Sequence, residues 1–287
     1  MLVIFSICTI AFLIGSCCGK ILAARGITAD FSLQKYHNKI LFLLISCFTI
    51  VLLLYSLSLL NIIHQVLFFI PTMGILYIQA YPYKFILTLG FLILGLLLFL
   101  EISDRTSRKR KKKSYLIIGI LSIPLMVLLN FCLPVTNSLN QPKVIDRIIV
   151  LQTSPYTCAP ASIATLARFT GKHPYLSELD AVKLTMTNRF GTSTLAEIQA
   201  MEQLGLKPSF RYGLSLKDLL KIDRPAILHV RVKLKYSGRI VAHAVTLLSI
   251  DREDLALIVA DPLSGIKKIP FNKLKGYWFG EAVFAKP

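Results

Sequence analysis

Cys158 is the one cysteine between residues 136 and 287, and its surroundings suit a nucleophile. It lies in Gln152-Thr153-Ser154-Pro155-Tyr156-Thr157-Cys158-Ala159-Pro160-Ala161-Ser162-Ile163-Ala164-Thr165-Leu166-Ala167-Arg168-Phe169-Thr170-Gly171. Ile163, Leu166 and Ala167 follow helical spacing, Pro160 suits a first turn and Gly171 suits a C-terminal stop. Cys158 is therefore expected at or just before a helix N-terminus, where unpaired N–H groups and the helix dipole favour a thiolate. On position alone two readings stand level: an activated thiol, or a small buried hydrophobe.

A thiol nucleophile also needs an imidazole to take its proton and a third group to hold that imidazole. Residues 136–287 contain three histidines, His173, His229 and His243. His173 follows the helix in a loop. His229 lies in a strand-like run, residues 225–232, and reads as core packing, because Asp251 and Asp254 fall in a turn. His243 opens another strand, residues 242–250. Eighteen positions later, Val259-Ala260-Asp261-Pro262-Leu263-Ser264-Gly265 ends a third strand in a turn. A strand–turn–strand pair would bring His243 and Asp261 side by side at the sheet edge. Taken singly, Asp261 is a turn initiator, His243 a satisfied strand histidine and Gln152 a surface amide. Taken as a set with Cys158, they make a nucleophile, a base, an orienting carboxylate and an amide donor.

Gln152, Cys158 six positions on, a strand-initial His243 and Asp261-Pro262 before a Gly resemble the double-glycine leader peptidases. These are papain-like cysteine peptidases that process bacteriocin precursors. The resemblance covers residues 145–285, including Gly205-Leu206 after a helical stretch and the closing Tyr277-Trp278-Phe279-Gly280. It implies that Cys158 attacks a peptide carbonyl, that His243 shuttles the proton and that Asp261 fixes the imidazole tautomer. The Gln152 amide and the Cys158 backbone N–H would hold the oxyanion. The sequence departs from the family at Thr157, where an acidic residue is usual, and at Ala159, where glycine is usual. The family often forms the front end of an ATP-driven exporter. This chain has no Gly-x-x-x-x-Gly-Lys-Ser/Thr phosphate loop, so an exporter partner would be a separate chain. No cofactor is expected, and His64 and the membrane cysteines lack any partner at metal-ligand spacing, so no metal site is expected.

The elements that position this set belong to one half of an uneven chain. Apolar residues make up 54 %, charged residues 17 %, and the mean hydropathy is +0.63. Residues 1–135 carry 12 of the 33 Lys/Arg and 3 of the 15 Asp/Glu. Such a chain is neither disordered nor, with five of six cysteines in oily segments, a disulfide scaffold. Residues 2–19, 40–63, 85–100 and 115–135 read as membrane spans, given the roughly 17–25 apolar residues a bilayer requires. Residues 65–83, with Pro71 and Pro82, read as re-entrant or interfacial. Two basic loops, Lys20 to Lys39 and Arg105 to Lys113, should both face the cytoplasm. Four spans satisfy that demand and leave the C-terminal domain outside; five would put the loops on opposite sides. No basic residue precedes Lys20, so the first span reads as an uncleaved anchor. The basic run between two spans suits anionic lipid better than nucleic acid.

The expected fold is α+β: a papain-like cysteine peptidase domain, residues 145–287, after a linker, residues 136–144, and a helical transmembrane region, residues 1–135, of four or five spans. The expected protein is a membrane-anchored cysteine endopeptidase of a bacterial inner or plasma membrane, taking peptide or protein substrates and not nucleic acid. The alternative is a membrane-tethered peptide- or partner-binding module that does not hydrolyse. Acyl transfer or deamidation would use the same triad. A transporter role for the oily half is disfavoured by its few intramembrane charges.

Overall fold

The computed structural model describes residues 2–25, 70–103, 119, 122–233 and 238–286. The chain divides into two compact units, Met1–Leu133 and Pro134–Pro287.

In the first unit, α1 (Leu2–Ala24), α2 (Thr72–Ala80), α3 (Pro82–Ser103) and α4 (Ser122–Cys132) are helical. Ile4–Ala24 and Pro82–Leu100 are long and apolar enough to cross a membrane. The span expected over residues 40–63 lies outside the described residues. Of the span expected over 115–135, the described part forms the short apolar α4, below the length a crossing needs. Two helices of spanning length are therefore present among the described residues, where the sequence suggests four or five in all. α2 has nine residues, about 13 Å of helix, too short to cross by itself. Pro82 then starts α3, a position where its missing N–H costs nothing.

α1 and α3 meet along small residues. A Cβ on Gly15 would stand 2.0 Å from the Leu92 carbonyl oxygen, and one on Gly95 2.2 Å from that of Phe12. The two backbones thus touch directly, the close approach that glycines permit between apolar helices. Cys8, Ala11, Leu87, Phe91 and Leu94 pack beside that contact with Leu129 and Cys132 of α4.

The second unit begins with a 3₁₀ turn, Val135–Ser138, whose Val135 N–H donates to the Thr187 carbonyl at 3.0 Å. The single strand expected over residues 145–151 is instead a hairpin. β1 (Lys143–Ile145) pairs antiparallel with β2 (Ile149–Leu151). Asp146 and Arg147 both have positive φ, 49° and 61°, and Ile148 N–H donates back to Ile145. Two left-handed central residues match the twist of a tight hairpin, which the β-branched run on either side conceals.

Three helices follow: α5 (Cys158–Phe169), α6 (Glu178–Thr185) and α7 (Thr194–Gln203). α5 ends at Thr170 with Gly171 at φ 72°, the left-handed exit that glycine adopts without strain. The remaining chain gives β3 (Ser209–Arg211), α8 (Leu216–Ile222), β4 (Ala226–Lys233), β5 (Ile240–Asp251), β6 (Ala256–Asp261), β7 (Gly265–Pro270), α9 (Leu274–Tyr277) and β8 (Trp278–Phe284). The strands form one antiparallel sheet in the order β3-β8-β4-β5-β6-β7.

Alternation along the strands divides this sheet into two faces. Leu228, Val230, Val245, Leu247, Leu257, Val259, Ala282 and Phe284 fill one face, with Leu219 of α8 and Leu274 of α9 over them. The other face receives α5. Ser162 Oγ donates to the Ala244 carbonyl at 3.1 Å, and Thr246 Oγ1 donates to the Ser162 carbonyl at 2.9 Å. These two bonds fix the height of α5 on β5 and so the height of Cys158 at its first turn.

Candidate active site

Cys158 opens α5, and Thr157 before it is fully buried. Its thiol is half-buried and close enough to His243 to bear on the acidity of that imidazole. His243 lies near the start of β5 and is 6 % exposed. Its Nε2 donates to Asp261 Oδ1 at 2.9 Å, which leaves Nδ1 for the cysteine. The register explains the pairing. Thr246 stands opposite Ala260, so the next residue of β6, Asp261, falls opposite Val245 and diagonal to His243 on the same face.

Asp261 is fully buried and every side of its carboxylate is engaged. Oδ1 also accepts the Leu263 N–H at 2.8 Å, and Oδ2 accepts from Lys267 Nζ at 2.6 Å. Burial pushes its acidity toward higher pH, but His243, Lys267 and the Leu263 N–H together hold it well below the usual carboxylate range. It is an anion at all working pH values. Burial likewise works against a charged His243, yet hydrogen bonds to Asp261 and then to Cys158 overcome it and push His243 up to about 9. A buried imidazolium thus stands between the Asp261 carboxylate and the Cys158 thiol.

Gln152 directly follows β2 and is tied to the same corner. Its N–H donates to the Pro262 carbonyl at 2.9 Å, directly after Asp261. Its side-chain Nε2 donates to the Ser154 carbonyl at 2.9 Å, while Oε1 is buried without a partner. One N–H of that amide is thus used and one remains. His243 is thus bonded to Asp261, and Gln152 to the next residue, Pro262, so one corner of the chain holds both.

The other two histidines sit elsewhere. His173 Nε2 bonds the Leu204 carbonyl at 3.0 Å. His229, expected as simple core packing, bridges two carboxylates: Nε2 to Glu197 at 2.9 Å and Nδ1 to Glu281 at 3.1 Å. Both nitrogens must donate, so the ring is a cation. Desolvation opposes that charge, but Glu197 and then Glu281 push it up to about 10. Among the described residues no group of three or more His, Cys, Asp or Glu side chains could hold a metal ion.

Two residues at the site escape a reading of the sequence. Lys267 could have been found from the hairpin: Asp261 pairs with Gly265 and Val259 with Lys267, which makes Lys267 the diagonal neighbour of Asp261. Glu178 has no such local signal. It lies on α6 and reaches the loop before Cys158 only in the folded chain.

Comparison with known proteins bears on this arrangement. An uncharacterised protein of Methanothermobacter marburgensis is 32 % identical over 132 residues, 45 % of this chain and 83 % of its own length. The transport/processing ATP-binding protein ComA of Streptococcus pneumoniae is 27 % identical over 139 residues, 47 % of this chain and 18 % of ComA. Among solved structures, the peptidase domain of Streptococcus ComA, a bi-functional ABC transporter, is 25 % identical, covering 48 % of this chain and 96 % of that one with a TM-score of 0.40. A double glycine motif protease from an AMS/PCAT transporter, solved with its leader peptide, is 23 % identical, covering 51 % and 92 % with a TM-score of 0.38. Residues 146–287 match the model of the peptidase C39 family, and through this C-terminal half the chain belongs to that family.

Proposed function

We propose that the protein is a membrane-anchored cysteine endopeptidase. Cys158 is the nucleophile, His243 the general base and acid, Asp261 the group that orients His243, and Gln152 with the Cys158 backbone N–H the oxyanion donors. The observation that carries this reading is the buried His243–Asp261 pair, bonded at 2.9 Å. In the first half-reaction the thiolate adds to the scissile carbonyl and the imidazolium protonates the leaving amine. In the second, His243 takes a proton from water, which displaces the thiol and releases the acid. The substrate class is a peptide cut after Gly-Gly, as membership of the peptidase C39 family suggests, with a separate exporter as partner.

The peptidase domain spans residues 145–287, joined by a linker, residues 136–144, to a helical membrane region, residues 1–135. Four spans, with residues 65–83 not crossing, keep both basic loops cytoplasmic and leave Cys158 outside. Two apolar helices of spanning length support the anchor. The full-length protein in detergent micelles, given fluorogenic peptides with an internal Gly-Gly, should cut them and lose all turnover in Cys158→Ala. Binding of such peptides without turnover by the parent protein would favour the non-hydrolysing module instead.

A further inference from the structure

The loop between Gln152 and Cys158 carries both of the oxyanion donors, so its shape decides whether they converge. It has little regular structure of its own. Ser154 provides one internal tie: its carbonyl accepts Gln152 Nε2 at 2.9 Å and the Thr157 N–H at 3.3 Å. The rest of the restraint comes from outside. Glu178, 2 % exposed on the first turn of α6, sends its carboxylate into the loop. Oε1 accepts the Thr153 N–H at 2.9 Å and Oε2 accepts Thr153 Oγ1 at 2.8 Å. Oε1 is also the nearer, at 2.5 Å, of two acceptors for the buried Thr157 hydroxyl, the other being the Ser154 carbonyl at 3.0 Å.

Thr153 is the residue directly after Gln152, and Thr157 is the residue directly before Cys158. One buried carboxylate therefore holds the loop at both ends, next to each donor. A buried carboxylate is costly unless it is fully hydrogen-bonded, and this one has no cationic partner in the bonds it makes. Its bonds go instead to the two residues that flank the oxyanion donors.

We infer that Glu178 is a positioning residue that sets the distance between the Gln152 amide and the Cys158 N–H. This rests on the peptidase reading above. It acts only when an oxyanion forms, so its loss should impair acylation and spare reactions of the thiol that need no oxyanion hole. A misplacement of about 1 Å in such a site can cost on the order of 10²-fold.

The test uses the full-length protein in detergent, a Gly-Gly fluorogenic peptide and iodoacetamide. Glu178→Ala should lower kcat about 10²-fold, with KM within about twofold and the rate of Cys158 alkylation unchanged. Glu178→Gln, which keeps one acceptor oxygen, should recover part of the loss. Glu178→Ala combined with Gln152→Ala should be little worse than the poorer single variant, because both remove the same donor geometry. Thr157→Val, which deletes one of the clamp's bonds without emptying a buried charge site, supplies the answer if Glu178→Ala does not fold; it should lower kcat about tenfold with alkylation spared. Unchanged kcat in the folded variants, losses that multiply with Gln152→Ala, or a matching fall in alkylation would overturn the inference. Turnover that survives in Cys158→Ala would strike the peptidase reading itself, a result distinct from any of these.

Discussion

Replacing Asp261 by Asn removes one charge and changes almost no volume, so it isolates the electrostatic part of the His243–Asp261 pair. The asparagine amide has two ways to sit. With its oxygen toward His243 and the Leu263 N–H, its NH₂ faces the Lys267 ammonium, donor against donor. Turned over, its NH₂ faces His243 Nε2, which must then accept, and the imidazole keeps its proton on the nitrogen that faces Cys158. The first choice keeps Nδ1 as a base but sets two donors against each other at Lys267; the second leaves no base toward Cys158. The magnitude follows from His243. Its rise from 6.5 to about 9 is worth about 3 kcal/mol at about 1.36 kcal/mol per pH unit, and the bond to Asp261 is the largest favourable contribution to it. The alkaline limb of kcat/KM, expected near 9 in the parent as the imidazolium is lost, should move acidward by one pH unit or more. At its optimum the variant should lose about 10²–10⁴-fold in kcat, the scale of losing the correct tautomer and its support. The assay is a pH profile of peptide hydrolysis by the full-length protein, with the thermal midpoint as the fold control. A variant within threefold of the parent, with its alkaline limb unmoved, would refute the assignment of Asp261.

The other expectations concern stability and topology. His229→Ala leaves the buried Glu197 and the half-buried Glu281 side by side without their cation, which should cost about 3 kcal/mol and lower Tm by about 6–12 °C; an unchanged Tm would remove any structural role for this bridge. Because the folded pKa of His229, about 10, lies above its ordinary value of 6.5, its stabilisation is complete below 6.5 and is lost as pH rises through 10, so the Tm gap between parent and His229→Ala should close in that window. Gly15→Val places a branched side chain where even a Cβ would stand 2.0 Å from the Leu92 carbonyl; thermal stability of the helical region in detergent should fall, and an unaffected midpoint would mean that the helices can separate there freely. A reporter fused after Pro287 should be active outside the cytoplasm, and cytoplasmic activity would mean that residues 65–83 cross.

How far the site can be read from the chain depends on how local its contacts are. The Cys158 helix is legible because its signals, Pro160, the apolar spacing and Gly171, lie within fourteen residues of one another. His243 and Asp261 are legible because they are joined by one hairpin, whose register brings them together whatever the rest of the fold does. The hairpin of residues 143–151 is not, since its turn places Arg147, with no preference for that geometry, at positive φ. The partners of His229 lie 32 and 52 positions away in the chain. Glu178 reaches Thr153 and Thr157 from a separate helix, 25 and 21 positions on. No periodicity connects such pairs, because they depend on how α6 and α7 dock against the loop and sheet.

β7 ends the sheet, and an end strand offers a row of unpaired backbone groups to any other extended chain. Its residues alternate, and the exposed Ile266 (59 %) makes that border sticky. Lys267 and Lys268 stand beside it, the first anchored on Asp261 and the second on Asp251 and Asp254. Lysines on an end strand discourage a further strand from pairing there. The lysine paired with Asp261 thus also guards the sheet's border, and Pro270 closes the strand with a residue that has no N–H to offer. Exchanging Lys267 for an apolar residue would touch activity and solubility at once, so colloidal behaviour has to be followed alongside turnover in any variant of that strand.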